Sequence, residues 1–229
     1  MAELNNLVIQ EARPLPVIIL ADISGSMHAD NNIGILNTAI REMINSLSGE
    51  GSLRAEVYIA VITFGKAGAK AHLPFNKASD ISWNDLEANG TTPMGEAFTM
   101  AQNLIENKEI ISGRSYAPTM VLLSDGRPTD DYEQPLLDLL SSPRAAKAFR
   151  MAMSIGANDD QNVLEEFLGD SDLPVFQANE ARQIQKFFKF VTMSVSQRVQ
   201  SVHPNKVENN SLNVIADLGD IDDLDEFEF

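Results

Sequence analysis

At 229 residues and 44% apolar composition, the chain is long enough for one α/β domain of about 200 residues and an appendage. A formal net charge of −16 argues against non-specific nucleic-acid binding, which needs basic surface to neutralise phosphates, and the absence of cysteine excludes disulfides, thiol nucleophiles and thiolate metal sites. No apolar run approaches the ~18 residues of a membrane span, and MAELNNLVIQEARPLP lacks the basic-then-apolar order of a signal peptide, so no membrane association and a cytoplasmic location are expected.

Along the chain, short apolar runs alternate with helical periodicity. Val17–Ala21 reads as a strand buried on both faces, and Ile33, Leu36, Ile40, Met43, Ile44 and Leu47 then follow helical spacing until Ser48-Gly49. Glu56–Phe64 is a long β-rich run, Gly65–Gly68 turns it, and Ala71–Phe75 pairs back as an antiparallel edge strand. Met94, Ala97, Phe98, Ala101, Leu104 and Ile105 form a second amphipathic helix, with Pro93 suited to its first turn. Thr119–Leu123 is another buried strand. A helix is expected within Gln134–Lys147, a strand at about Phe149–Ile155, a helix at Val163–Leu168 and a short strand at Val175–Gln177. Ile184, Phe187, Phe188, Val191 and Val195 mark a last helix. This alternation predicts a doubly wound, mostly parallel central sheet flanked by helices on both faces.

Charge separates a tail from this body. Residues 202–229 hold eight acids against Lys206, a net −7 that leaves −9 for the rest. The expected division is a domain over 1–201, with its core at about 16–201, and an acidic, disordered tail over 202–229. Leu212, Val214, Ile215, Leu218, Ile221, Leu224, Phe227 and Phe229 are interleaved with the acids, a composition found in inert solvated segments and in segments that order on a partner or dock on their own domain.

Ligands of such sheets lie beyond the carboxyl ends of the strands, and three oxygen-rich loops fall there. Asp22, Ser24 and Ser26 follow the first strand in DISGSM, Thr91 and Thr92 lie in NGTTPMGEA, and Asp125 lies in SDGRPTDD. Spacings of two keep Asp22, Ser24 and Ser26 pointing one way while the backbone stays extended. Two carboxylates and several hydroxyls form a hard oxygen shell, better suited to Mg²⁺ than to Zn²⁺, with Mn²⁺ or Ca²⁺ as further candidates. D-x-S-x-S taken alone is more often a turn or helix N-cap than a metal site.

DISGSM, GTTPMGEA and LLSDGRPTD, in this order and at these separations, resemble the three metal-site motifs of von Willebrand factor A (VWA) domains over roughly 16–201. The resemblance implies a metal-ion-dependent adhesion site (MIDAS). In it Ser24, Ser26 and Thr92 are direct or switchable ligands, and Asp22 and Asp125 act directly or through water. Thr91 stands where many relatives carry glycine, and Thr92 is taken as the ligand. The motifs are most similar to those of bacterial TerY-like and YegL-like proteins. These are associated with tellurite and stress-resistance loci that also encode a protein kinase and a PP2C-type phosphatase. The implied function is a non-enzymatic module that presents Mg²⁺ to an Asp or Glu of a partner, with a kinase or phosphatase as candidate partner.

Two alternatives stand beside this. One is an adaptor that binds through the acidic tail, or whose tail reaches the site of a neighbouring molecule. The other is a Mg²⁺-dependent phosphohydrolase, although the haloacid-dehalogenase pattern needs an acid where Ser24 stands, and neither G-x-S-x-G nor a Walker lysine loop is present. Asp130 and Asp131 are expected to cap the helix that follows them, His28 to be surface or second layer, Trp83 to be partly buried packing, and Phe187-Phe188 to be core.

Overall fold

The computed structural model describes residues 11–156, 162–171 and 173–206. Its strands are β1 (Arg13–Asp22), β2 (Ala55–Gly65), β3 (Gly68–Lys77), β4 (Thr119–Ser124), β5 (Phe149–Ile155) and β6 (Phe176–Ala178). Its helices are α1 (Asn32–Ser48), α2 (Met94–Glu106), α3 (Glu133–Ser141), α4 (Asn162–Leu168) and α5 (Ala181–Gln200). The sheet order is β3-β2-β1-β4-β5-β6, parallel throughout except for the antiparallel β2–β3 edge pair. The expected doubly wound architecture is therefore present, antiparallel edge strand included.

The strands are continuously apolar because both faces of the sheet are covered. Along β1, Val17, Ile19 and Ala21 join the core shared with α1 and α5, while Ile18 and Leu20 join the core shared with α2, α3 and α4. Phe187 and Phe188 are both buried, on the α1–α5 side, as their helical spacing requires.

β3 is longer than the expected Ala71–Phe75, running Gly68–Lys77, and two other boundaries differ from the sequence reading for a proline-related reason. β1 begins at Arg13, four residues before the expected Val17, and contains Pro14 and Pro16. Arg13 N–H donates to the Arg54 carbonyl on the β2 side, so the strand's period of two turns both proline nitrogens to the other side. There β4 pairing starts only at Val17, and no ladder bond is lost. α3 stops at Ser141, short of the expected limit, because Ser142 precedes Pro143 and takes an extended ψ of 147°.

Most of the expected tail lies outside the described residues, but 201–206 are described and are fastened to the lower end of the sheet, opposite the carboxyl ends of the parallel strands. Arg198, in the last turn of α5, is buried. Its guanidinium donates to Pro204 O (2.8 Å), Thr119 Oγ1 (2.6 Å) and Ala117 O (2.6 Å) and lies 4.0 Å from the centre of the Phe149 ring. Burial lowers its pKa to about 9, so it stays protonated at neutral pH. Asn205 Oδ1 in turn accepts the Ala117 N–H at 2.9 Å.

A chain ended at Ser201 should therefore melt below one ended at Lys206. It leaves the Arg198 Nε and the Ala117 N–H without these acceptors, a loss on the order of 2–4 kcal/mol, or roughly 5–15 °C for a domain of this size. Paired thermal melts by circular dichroism test this, and equal midpoints would refute the role given to the 201–206 segment.

Candidate metal centre

β1 and β4 are neighbours at the middle of the sheet, and the chain leaves β1 toward one edge and β4 toward the other. In this topology the crevice opens between their carboxyl ends. The register pairs Ala21 with Leu123, which sets Asp22, the last residue of β1, beside Ser124, the last of β4.

Asp22 is fully buried. Its Oδ1 accepts the Ser24 N–H at 2.8 Å, folding the chain back over the strand end, and its Oδ2 accepts the Ser124 hydroxyl at 2.6 Å. The turn brings Ser24 Oγ within 2.9 Å of Ser26 Oγ, and both hydroxyls donate to Asp125 Oδ1, at 3.2 and 2.8 Å. Four of the five residues singled out from the sequence thus form one hydrogen-bonded group. The fifth, Thr92, is buried, whereas Thr91 is exposed. A Cβ on Gly126, the residue after Asp125, would stand 3.5 Å from Thr92 Oγ1, so the second loop lies directly against the third.

Backbone bonds lock the three loops together. Ile23 N–H donates to Phe64 O, Asn89 N–H to Ile23 O and Gly25 N–H to Gly90 O, at 3.0, 2.6 and 3.0 Å. Gly90 has φ +91°, and a Cβ there would meet the Lys66 Cα at 2.2 Å, so this position of the NGTT motif admits only glycine. Thr92 and Thr129 exchange two bonds, Thr92 N–H to Thr129 Oγ1 at 3.1 Å and Thr129 N–H to Thr92 O at 2.9 Å.

Three supporting residues were not given these roles from the sequence. Ser124 and Thr129 lie inside the SDGRPTDD stretch, but their partners become visible only through strand register and loop contact. Asp130 does cap a helix, but it is the earlier α2 and not the following α3: its carboxylate accepts the Gly95 and Glu96 N–H groups at 3.1 and 3.0 Å. A through-space cap of this kind leaves no local sequence signal. His28 is exposed, and Trp83 is half-buried against the α1–α5 core, 5.2 Å from the His72 ring.

Among the described residues no group of three or more His, Cys, Asp or Glu is assembled for a metal. A cation here would be held by two carboxylates and hydroxyls. The electrostatics fit that donor set. Burial pushes the Asp22 carboxyl up to about 6, a rise opposed by the Ser124 and Ser24 hydrogen bonds and reinforced by Asp125. Burial also raises Asp125, against the pull of the two serine hydroxyls. No basic side chain offsets the rise at Asp22, so this buried carboxylate lacks a countercharge.

Residues 17–127, which include the first two loops and the third as far as Arg127, match the family model of the von Willebrand factor type A domain. No curated protein matches the chain. The fold is similar to that of the ArnB paralog VWA2 from Sulfolobus acidocaldarius, at 15% identity and a TM-score of 0.59, covering 79% of this chain and 46% of that one. It is also similar to proximal thread matrix protein 1 from the mussel byssus, at 19% identity and a TM-score of 0.62, covering 80% and 48%. A further structure of the mussel protein, with a zinc-occupied MIDAS motif, aligns at 16% identity and a TM-score of 0.56 over 80% and 48%. The likeness is one of fold, and the chain spans less than half the length of these structures.

The raised Asp22 pKa has a defined sign. The folded state holds this proton more tightly than the unfolded chain between about pH 4 and 6, so the metal-free domain loses stability as pH rises through that window and stays lower above it. The penalty at neutral pH is on the order of 2–3 kcal/mol. Asp22→Asn removes it while keeping an acceptor for Ser24 N–H. In EDTA, melts across this pH range should show the variant with the shallower profile and the higher midpoint at neutral pH. Parallel profiles would contradict the assignment of Asp22 as an uncompensated buried anion.

Proposed function

We propose, from the premise that this chain carries a von Willebrand factor type A domain, that it is a non-enzymatic module that binds another protein through a divalent cation held by Asp22, Ser24, Ser26, Thr92 and Asp125. The observation that carries this reading is the convergence of Ser24 Oγ, Ser26 Oγ and Asp125 Oδ1 above the fully buried Asp22. The all-oxygen donor set favours Mg²⁺, with Mn²⁺ or Ca²⁺ as substitutes. The zinc in the mussel structure belongs to that protein. When bound, the cation supplies an electrophilic position open to one more anionic oxygen, such as a partner's Asp or Glu.

The chain's own residues prepare that position. Asp22 sits at the floor and holds the Ser24 turn, Ser124 fixes the Asp22 carboxylate, and Asp125 gathers the two hydroxyls. The same geometry disfavours catalysis by these groups. An aspartyl nucleophile must offer an oxygen to substrate, whereas Asp22 is fully buried and both its oxygens accept internal bonds. Ser24 and Ser26 bond to each other and to Asp125, an arrangement without the histidine base of a serine hydrolase. The resemblance of the motifs to TerY-like and YegL-like proteins supports a bacterial, cytoplasmic role beside a kinase or PP2C-type phosphatase in a stress or tellurite response. No helix among the described residues is long and apolar enough to cross a membrane.

Magnesium at about ten times its Kd should stabilise the domain by roughly 1.4 kcal/mol, a few degrees in midpoint. Ser26→Ala and Thr92→Ala should shrink that rise, and Asp125→Ala should abolish it. Pull-down from native extract should recover a partner in Mg²⁺ and lose it in EDTA, and an amide replacement of one partner carboxylate should match the loss. Equal metal-induced shifts in wild type and Asp125→Ala would refute the metal assignment. A complex that survives both EDTA and the three substitutions would refute the partner role.

A further inference from the structure

We infer that the lower end of the domain, around Arg13, Arg54 and Arg114, is the docking surface for the chain's own segment 207–229. The inference is independent of the metal reading. Four segments meet where the described chain ends. Arg13 N–H and the Tyr116 hydroxyl both donate to Arg54 O, at 2.9 and 3.3 Å, and the Arg13 Nε donates to Arg114 O. Ser52 Oγ donates to Val199 O at 3.0 Å, and Asn205, the neighbour of Lys206, accepts the Ala117 N–H. The 207–229 segment therefore leaves the domain from the middle of this cluster.

The cluster has an unmatched charge. Setting aside the buried Arg198, residues 11–14, 50–54, 112–117 and 198–206 contain four Lys or Arg (13, 54, 114, 206) against two Glu (11, 50), a net +2 in a chain of −16. No described carboxylate stands within ion-pair reach of Arg13, Arg54, Arg114 or Lys206, since the ion pairs Arg41–Asp85 and Lys77–Glu56 lie elsewhere. The surface is also apolar in places: Leu53 is 93% exposed and Val202 65%.

The segment is the complement of this surface. Residues 207–229 carry eight acids and no Lys or Arg, with Leu, Ile, Val and Phe between them. Length does not decide where it goes, because 23 residues extend up to about 75 Å, enough to reach either end of the domain. Charge does decide. The metal loops, residues 22–26, 89–96 and 125–131, hold five acids (22, 96, 125, 130, 131) against Arg127, a net −4 that repels an acidic segment. Tethering at Lys206 supplies an effective concentration on the order of millimolar, so even weak individual contacts suffice. Docked here, the segment leaves the metal loops open.

Hydrogen exchange of the full-length chain, read by mass spectrometry on peptides from 207–229, tests the docking. At low ionic strength the segment should exchange about tenfold more slowly than the unprotected peptide rate. The protection should vanish in about 1 M salt, where the Debye length falls to about 3 Å, and in a chain carrying Arg54→Glu and Arg114→Glu. Arg54→Lys with Arg114→Lys should keep it, and Leu53→Asp should weaken it. Positions 54 and 114 join the cluster mainly through backbone carbonyls, so the charge reversals leave those bonds in place, and the salt series on the unmutated chain stands if a variant misfolds. Free-peptide exchange at low salt would overturn the proposal, as would protection indifferent to salt. Protection that grows with protein concentration would place the segment on a second copy and overturn docking in cis.

Discussion

A carboxylate buried without a basic partner is the constraint around which the upper end of this domain is built. Asp22 closes β1 at the centre of the sheet, where water is excluded by the same two-sided packing that makes the strand continuously apolar. Its bonds to Ser24 N–H and Ser124 stabilise the ionised form, but burial outweighs them and the carboxyl stays raised. A sequence selected for stability alone would place an apolar residue there, since a buried charge without a partner costs several kcal/mol. The proposed cation, if bound, would account for a charge in this position. The reach of Asp22 is wide: through Ser24 it sets the turn that brings two hydroxyls to Asp125, and through Ser124 it ties β1 to β4.

The two ends of the domain solve opposite electrostatic problems. At the lower end the buried charge is Arg198, and the fold satisfies it internally with carbonyl and hydroxyl oxygens and the face of Phe149. The cation is compensated there by the dipoles of two carbonyls and one hydroxyl. Asp22 receives only the Ser24 N–H and the Ser124 hydroxyl, and burial outweighs these two bonds. The arginine therefore acts as a fastening, which holds 201–206 against the sheet, whereas the aspartate keeps a burial cost that its own hydrogen bonds do not offset.

Much of this was legible in the sequence because it is local or periodic. The apolar runs of β1, β2 and β4 and the helical stripes of α1, α2 and α5 encode which face each element buries, and alternation of strand and helix dictates the doubly wound sheet. DISGSM, GTTPMGEA and SDGRPTDD pointed to Asp22, Ser24, Ser26, Thr92 and Asp125, and the structure groups four of these and buries the fifth against the third loop. What escaped depends on contacts between distant segments. Ser124 gains its partner from the β1–β4 register, Asp130 caps a helix that precedes it by more than thirty residues, and Pro14 and Pro16 sit in a central strand only because β4 starts late. The first two have no local pattern to detect, and the prolines gave a local signal that the tertiary arrangement overrules.

Charge balance also governs how a site of this kind discriminates. A shell of three or four carboxylates would hold a divalent cation tightly and leave it little attraction for anything else. With two carboxylates and neutral hydroxyls, the proposed cation would be formally balanced yet poorly satisfied, and a third anionic oxygen from outside would complete it. Metal and partner would then bind cooperatively, each raising the affinity for the other by the same factor. The rigidity of the loops supports this. Ile23, Gly25, Asn89 and Gly90 exchange backbone bonds, Thr92 and Thr129 clasp each other, and Asp130 pins α2, so the oxygens are held in place before a ligand arrives. Little ordering would remain to be done on binding, and the attraction of the proposed cation would be left to act on a partner's carboxylate.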